Sequence, residues 1–192
     1  FYTVTPIYYQ HICYGYCVSD GSLFALKSEL SYLWTVNIGM ALENIRKWQW
    51  INRMNEKINR MWKYDMLTQV LNRSGFFYCA ETILQKIKEE KSNAFIIFLD
   101  IDGLKSVNDN LGHEIGDAFI AKIAGILKEV VPKDCLIMRY GGDEFVVFGS
   151  CKQAGRMQRI AEDIKAAIKT ADQKENRSYH LAASLGCSLH KS

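Results

Sequence analysis

The chain has 192 residues, of which 48% are hydrophobic and 23% are charged, and its formal net charge is +3 at pH 7. This length is enough for a buried core and is typical of one domain, or of one domain with an appendage. Because the charge is small and its signs are mixed, the composition argues against nucleic acid as a partner and against membrane contact by this segment.

The sequence indicates neither targeting segments nor disulfides. No run approaches the roughly 18–20 apolar residues of a membrane span, and the basic start of a signal peptide is missing. The six cysteines form no CxxC pair, which predicts free thiols in a reducing, cytoplasmic compartment. The chain begins at Phe1 inside an apolar pattern, so we expect a fragment of a longer protein, whose membrane anchoring the sequence leaves open.

Residues 1–25 are interpreted as the remnant of an upstream sensor domain. Apolar and polar residues alternate over residues 1–19 with a polar break at residues 10–11, which predicts two strands. Residues 19–22 are typical of a turn. The order of strand pair, turn and helix is similar to the closing segment of a GAF-like sensor domain.

Residues 26–63 are interpreted as one long signalling helix. Between Leu23 and Lys63 the sequence has no proline and a single glycine, and apolar residues recur at steps of three and four, which predicts one apolar stripe. The stripe consists of Leu30, Leu33, Ile38, Ala41, Ile45, Trp48, Ile51, Met54, Ile58 and Met61. We expect its first half to pack on the sensor sheet. For Trp48 to Met61 the seam of a dimeric coiled coil is favoured over such packing.

Residues 64–192 mix helix and strand patterns and are assigned to one α+β domain. The pattern predicts a helix over 67–90 broken at Gly75, a buried strand over 94–101, a helix over 114–131, a hairpin over 136–148, a helix over 154–170 and a strand over 181–190. The 94–101 strand is predicted to be buried because its apolar run is nearly continuous.

The most specific feature is the hairpin, which reads Arg139-Tyr140-Gly141-Gly142-Asp143-Glu144-Phe145. Two glycines between strand-like runs predict a primed turn, because glycine readily adopts the positive φ that such turns need. The two carboxylates would then stand beside backbone that no side chain covers. This arrangement predicts a site for a metal and a phosphate.

Four further motifs accompany the hairpin. They are Asp65–Thr68 with Leu71–Phe76, Asp100–Asp109, Gly112–Asp117 and Ser184–Gly186. Together with Gly141–Phe145 they resemble the GGDEF family of diguanylate cyclases, which condense two GTP molecules into cyclic di-GMP. The resemblance covers residues 64–192 and implies an α+β, palm-like fold with a central, mainly antiparallel sheet flanked by helices.

Nucleotidyl transfer needs charge neutralisation on a triphosphate and an aligned 3′-hydroxyl, which two divalent ions can provide. The resemblance implies Mg²⁺ or Mn²⁺ as cofactor, held by Asp100, the carbonyl of Ile101, Asp143 and Glu144. Glu144 and Asp143 are implied as the catalytic residues, with Glu144 helping to deprotonate the 3′-hydroxyl. For Asp102 we expect a structural role.

The resemblance also implies the substrate contacts. The implied residues are Gly103, Leu104, Lys105, Gly141 and Gly142 for phosphates, and Asn108 and Asp117 for guanine. A carboxylate accepts hydrogen bonds from guanine N1–H and N2–H₂, which adenine lacks, so Asp117 favours GTP over ATP. The plainer alternatives are a solvated surface lysine for Lys105 and a helix N-terminal carboxylate for Asp117.

The opening motif and three departures from the family pattern bear on regulation and completeness. Asp65, Asn72 and Arg73 are expected to fix the long helix to the domain. Gln69 occupies a position that is usually glycine, so we expect stiffer backbone there. Residues 132–135 replace the Arg-x-x-Asp site of product-inhibited members, so high-affinity feedback by cyclic di-GMP is not expected. Family domains continue past the strand predicted at residues 181–190 into a basic helix. We therefore expect the C-terminal end of the domain to be missing.

The sequence thus predicts a Mg²⁺-dependent diguanylate cyclase that acts as a homodimer. Each domain would bind one GTP, and each 3′-hydroxyl would attack the α-phosphate on the partner, which makes bond formation effectively unimolecular. The upstream sensor domain would act through the long helix. The alternative is a non-catalytic, GTP-binding or regulatory module of the same family, and a lesser one is a cyclase that accepts ATP as one substrate.

Overall fold

A computed structural model describes residues 2–20, 28–174 and 179–191. The chain divides into two compact units, residues 1–58 and residues 59–192. The domain boundaries predicted after residues 25 and 63 remain predictions.

The first unit consists of a hairpin and most of a long helix. Strands β1 (Tyr2–Tyr9) and β2 (Ile12–Asp20) pair antiparallel, which confirms the two predicted strands. Of the predicted turn over 19–22, the first two residues lie in β2 and the others lie outside the described residues. Helix α1 spans Ser28–Lys63, and residues 26 and 27 of the predicted helix also lie outside the described part.

The face of α1 that is buried in the first unit is polar and small, which corrects the expectation that the apolar stripe packs there. Thr35, Gly39 and Glu43 are buried, whereas stripe residues such as Ile45 are exposed. A Cβ on Gly39 would overlap the backbone carbonyl of Tyr8. Glycine is therefore required where the helix meets the hairpin.

Glu43 is the polar centre of this packing. It is 4% exposed, it accepts a hydrogen bond from the Tyr14 hydroxyl on β2, and it pairs with Arg46 through two N–H···O bonds of 2.8 and 3.0 Å. A buried carboxylate is tolerated when it is paired and hydrogen-bonded. The Arg46 and Tyr14 bonds together lower the pKa of Glu43 to about 2.

The second unit contains a four-stranded antiparallel sheet with the order β4-β5-β3-β6. The strands are β3 (Asn93–Ile101), β4 (Leu136–Gly141), β5 (Glu144–Cys151) and β6 (Ala183–His190). The helices are α2 (Arg73–Glu90), α3 (Leu104–Leu111), α4 (His113–Val130) and α5 (Arg156–Lys174). The α+β class with an antiparallel sheet flanked by helices is confirmed.

Two hydrophobic clusters hold the helices to opposite faces of the sheet. The face with Phe95, Ile97 and Val147 belongs to the cluster of α4 and α5, and the face with Val146 and Phe148 belongs to the cluster of α2. On the α2 face, Ile96 and Phe98 of β3 remain 37% and 41% exposed. The prediction of a buried 94–101 strand is therefore correct for only one of its two faces.

The predicted 67–90 helix begins later, at Arg73, because Asp65 and Asn72 organise the residues before it. The Asp65 carboxylate accepts hydrogen bonds from the Thr68 amide and hydroxyl, at 2.9 and 2.6 Å. Asn72 Oδ1 caps α2 at the Gly75 amide, at 2.9 Å. The Asn72 side-chain amide also donates to the carbonyls of residues 61, 62 and 64, so one residue joins the end of α1 to the start of α2, as expected for this motif.

Gly75 is not a break, which corrects the second part of that prediction. It lies in the first turn of α2, where a Cβ would overlap the carbonyl group of Lys63. The glycine permits close contact between the end of α1 and the start of α2.

Candidate nucleotide and metal site

The ends of two neighbouring strands bring the predicted metal ligands together. In the β3–β5 pairing Asp100 lies directly opposite Glu144, so their Cβ atoms are about 5 Å apart on one face of the sheet. The Ile101 amide donates to the carbonyl of Asp143 at 3.1 Å. The sheet register thus places Asp100, Ile101, Asp143 and Glu144 together at the edge of the sheet that the strand ends form.

The electrostatics of this edge suit a cation. Like charges directly opposite each other destabilise a sheet, and within the described residues neither Asp100 nor Glu144 takes part in a salt bridge. Asp100 is exposed and Glu144 is half-buried. The edge therefore offers hard oxygen ligands that have no internal cation.

The donor set fits Mg²⁺ as far as protein ligands go. Among the described residues no three His, Cys, Asp or Glu side chains are arranged to hold a metal by themselves. Mg²⁺ usually takes only one or two protein carboxylates and completes its octahedron with water and substrate phosphates. Two carboxylates with a nearby carbonyl meet that requirement, as they would for Mn²⁺.

The turn of the hairpin differs from the predicted primed turn. Neither Gly141 nor Gly142 has a left-handed φ. Instead, Tyr140 is an extra residue between the pairs Arg139↔Phe145 and Gly141↔Glu144, and such a bulge bends the strand.

The glycines leave the turn open. A Cβ on Gly142 would meet nothing within 4 Å, and a Cβ on Gly141 would meet only Glu144 Oε2, at 3.4 Å. Neither contact within the protein nor φ explains the two glycines, whereas the approach of a phosphate to the backbone would.

The predicted phosphate loop lies at the start of α3. Gly103 is the N-cap residue with φ 75°, no side chain caps the helix, and its first turn has no acidic residue. Leu104 is buried and Lys105 is exposed. Uncapped N–H groups at a helix N-terminus, with a lysine beside them, form a favourable anion environment.

The two predicted guanine contacts, Asn108 and Asp117, lie on the two helices that meet at the corner between α3 and α4. A Cβ on Gly116 would overlap the Oδ1 atom of Asn108, so the Asn108 side chain rests on the first turn of α4, beside Asp117. Asp117 is exposed and Asn108 is half-buried. The corner thus brings the Asn108 amide against the residue that precedes Asp117, and an amide and a carboxylate are the groups that reading a guanine edge needs.

Two further side chains near the site, those of Asp102 and Arg139, form hydrogen bonds within the protein. Asp102 accepts a hydrogen bond from the Ser184 hydroxyl at 2.8 Å, which is the kind of structural contact expected for it. Arg139, for which no role was predicted, donates to the Gly142 carbonyl from Nε and Nη2 at 3.0 and 2.7 Å. The available signal was a charged residue inside an apolar strand, next to the glycines.

Residues 62–192 match the family model described as diguanylate cyclase, GGDEF domain. An uncharacterized membrane protein of Staphylococcus epidermidis is 31% identical over 146 residues, which are 76% of this chain and 39% of that protein. A similarly named protein of Staphylococcus aureus is 30% identical with the same coverage. The chain thus spans about two fifths of the length of these relatives. None of the helices in its described part is long and apolar enough to cross a bilayer.

Solved structures share the fold. The coiled coil and GGDEF domain of DgcB from Caulobacter crescentus, in complex with c-di-GMP, has a TM-score of 0.70 and 22% identity, covering 80% of this chain and 82% of that one. The GGDEF domain of TpbB from Pseudomonas aeruginosa has a TM-score of 0.59 and 27% identity, covering 66% and 74%. SiaD from the same species, solved with its activator SiaC, has a TM-score of 0.62 and 20% identity, covering 88% and 65%.

Proposed function

The chain belongs to the GGDEF-domain family of diguanylate cyclases, which ties it to cyclic di-GMP, and on this premise we propose that it condenses two GTP into cyclic di-GMP and two pyrophosphates. The observation that carries the proposal is the cross-strand pair of Asp100 and Glu144 beside an open diglycine turn. A purely structural hairpin would gain nothing from two facing carboxylates without a counter-ion.

In this reaction the site residues have separate tasks. Mg²⁺ or Mn²⁺, held by Asp100, the Ile101 carbonyl, Asp143 and Glu144, would neutralise triphosphate charge and activate the 3′-hydroxyl. Glu144 accepts the proton of that hydroxyl.

The phosphates are held by backbone. The amides of Gly103 and Leu104 and the open turn at Gly141 and Gly142 receive phosphate oxygens, and Lys105 adds a positive charge. The uncapped start of α3 supports this assignment.

Guanine is selected by Asn108 and Asp117. The Asp117 carboxylate accepts from N1–H and N2–H₂ of guanine, and adenine would leave it unpaired. We therefore expect GTP to be preferred over ATP, and an Asp117→Ala variant to bind GTP more weakly.

A second copy of the chain completes the reaction, because each site supplies only one nucleotide. The exposed stripe of α1 supports dimerisation: Trp48, Ile51, Met54, Ile58 and Met61 are 67%, 48%, 38%, 55% and 60% exposed. Burial of such a stripe in a coiled coil brings two domains together. An upstream sensor domain would then control activity through α1. The longer protein would present this domain to GTP in the cytoplasm. The name of a relative, an uncharacterized membrane protein, favours a membrane anchor in that longer protein.

The test is incubation of the chain with GTP and Mg²⁺ at several protein concentrations, with product separated by chromatography. We expect cyclic di-GMP to form with a steeper than first-order dependence on protein. Glu144→Gln should lower the rate by orders of magnitude, whereas Glu162→Gln, an exposed carboxylate on α5, should not. GTP binding without product would favour the alternative, a non-catalytic GTP-binding module.

A further inference from the structure

Arg139 connects the turn of the hairpin to the segment that follows α1. Its side chain is only 15% exposed. Nε and Nη2 both donate to the Gly142 carbonyl, and Nη1 donates to the Asp65 carboxylate at 3.2 and 3.4 Å. The guanidinium thus donates hydrogen bonds in two directions, to the turn and to Asp65.

The Gly142 carbonyl is an effective point at which to hold the turn. The peptide unit is planar and trans, so fixing this oxygen fixes the plane of the Gly142–Asp143 peptide and directs the Asp143 amide to the opposite side. Two consecutive glycines would otherwise leave the turn with much conformational freedom. Arg139 removes that freedom without placing a side chain over the open backbone.

Asp65 is itself fixed. Its carboxylate accepts two bonds from Thr68, and the Arg139 amide donates to the Leu71 carbonyl at 2.9 Å. Burial alone would raise the pKa of Asp65, but the bonds from Thr68 and Arg139 outweigh burial and lower it. The guanidinium is therefore held between an ionised, immobile carboxylate and the turn.

We propose that Arg139 is a positioning residue for the reaction: it holds the Gly142–Asp143 peptide so that Asp143 and Glu144 face Asp100 in the orientation that binds metal, and Asp65 holds Arg139. This deepens the proposed function and rests on it. Lysine cannot substitute, because a single ammonium lacks the planar fork that reaches a carbonyl and a carboxylate at once.

The test compares Arg139→Gln with a matched control, Arg156→Gln. Arg156 also pairs with a carboxylate, Asp134, at 2.6 and 2.7 Å, and donates to a backbone carbonyl, that of Ser150, at 2.9 Å. Both substitutions remove one ion pair and one side chain–backbone contact. Only Arg139 contacts the turn.

Three readouts are measured: hydrogen exchange of the Ile101 amide, Mn²⁺ affinity by electron paramagnetic resonance, and kcat and KM for GTP. For Arg139→Gln we expect faster exchange at Ile101, which donates to Asp143, and about tenfold weaker Mn²⁺ binding. We also expect kcat to fall at least about tenfold with a smaller rise in KM, since the turn contributes to phosphate binding whereas the guanine contacts lie on other elements. Arg156→Gln should resemble wild type in all three readouts. Arg139→Lys should resemble Arg139→Gln.

Unchanged Ile101 exchange and Mn²⁺ affinity in Arg139→Gln would overturn the proposal, as would an equal loss in Arg156→Gln. If Arg139→Gln fails to fold, Asp65→Asn, which weakens the hold on the guanidinium, must shift exchange and Mn²⁺ affinity in the same direction. A wild-type chain that makes no cyclic di-GMP would refute the proposed function, while exchange and Mn²⁺ affinity would still decide the role of Arg139.

Discussion

The contact of Gly75 with the end of α1 predicts opposite effects for one substitution at two helical positions. In Gly75→Ala the new Cβ would overlap the Lys63 carbonyl, and this neighbour is backbone, which cannot rotate away. In Gly125→Ala, inside α4, the new Cβ would meet nothing within 4 Å. The two variants therefore add the same methyl group to a crowded site and to an open one.

The magnitudes follow from two terms. Overpacking costs about 1–3 kcal/mol, and replacing glycine by alanine in a helix returns about 1 kcal/mol or less. Because the neighbour of Gly75 is backbone, the cost should lie at about 2–3 kcal/mol, and Gly75→Ala should lower the free energy of unfolding by about 1–2 kcal/mol. Gly125→Ala should raise it by about 0.5–1 kcal/mol.

The assay is urea unfolding followed by circular dichroism at 222 nm, with wild type and both variants in one buffer. Midpoints should fall on opposite sides of wild type, with unchanged slopes. A Gly75→Ala midpoint at or above that of wild type would refute the close contact between Gly75 and Lys63.

Three further predictions concern ionisation and backbone strain. Hydrogen bonds, above all from Arg46, hold the pKa of Glu43 at about 2, so the stability that this carboxylate contributes is present above its ordinary pKa of 4.5 and is lost as pH falls toward 2. Near-ultraviolet circular dichroism should show this loss in wild type, and an equal acid response in Glu43→Gln would contradict it. Burial raises the pKa of Cys135 to about 11, so iodoacetamide at pH 8 should label the exposed Cys187 faster than Cys135. Equal labelling rates of these two thiols, followed by mass spectrometry, would contradict the burial of Cys135. Gln69 has φ 55°, a conformation that costs a non-glycine residue about 1–2 kcal/mol, so Gln69→Gly should raise the urea midpoint, and a lower midpoint would show that its side-chain bonds matter more.

The α+β class of the fold could be predicted from the sequence, because the motifs and their order are local in the chain and resemble those of a known family. The meeting of the strand-end carboxylates followed from that resemblance and not from local pattern, because strand pairing is not local. Prediction from the sequence failed where the result depends on how helices pack on the sheet and how strands pair. The apolar run of β3 does not reveal that α2 leaves Ile96 and Phe98 exposed. The bulge at Tyr140 depends on pairing between strands, and the link from Arg139 to Asp65 joins residues 74 positions apart, so neither is visible in local pattern.

Asn72 has a consequence for how this domain can be fused to other upstream helices. Because its side-chain amide binds the carbonyls of residues 61, 62 and 64, the last turn of α1 is part of the GGDEF domain's own architecture. A chimaera joined after residue 63 would have to supply the acceptors at positions 61 and 62 from the new helix, whereas one joined before residue 59 would inherit all three. Each residue inserted upstream turns the preceding helix by about 100°, so functional fusions should recur at insert lengths of seven residues, which restore the face of the helix while the junction at Asn72 stays intact.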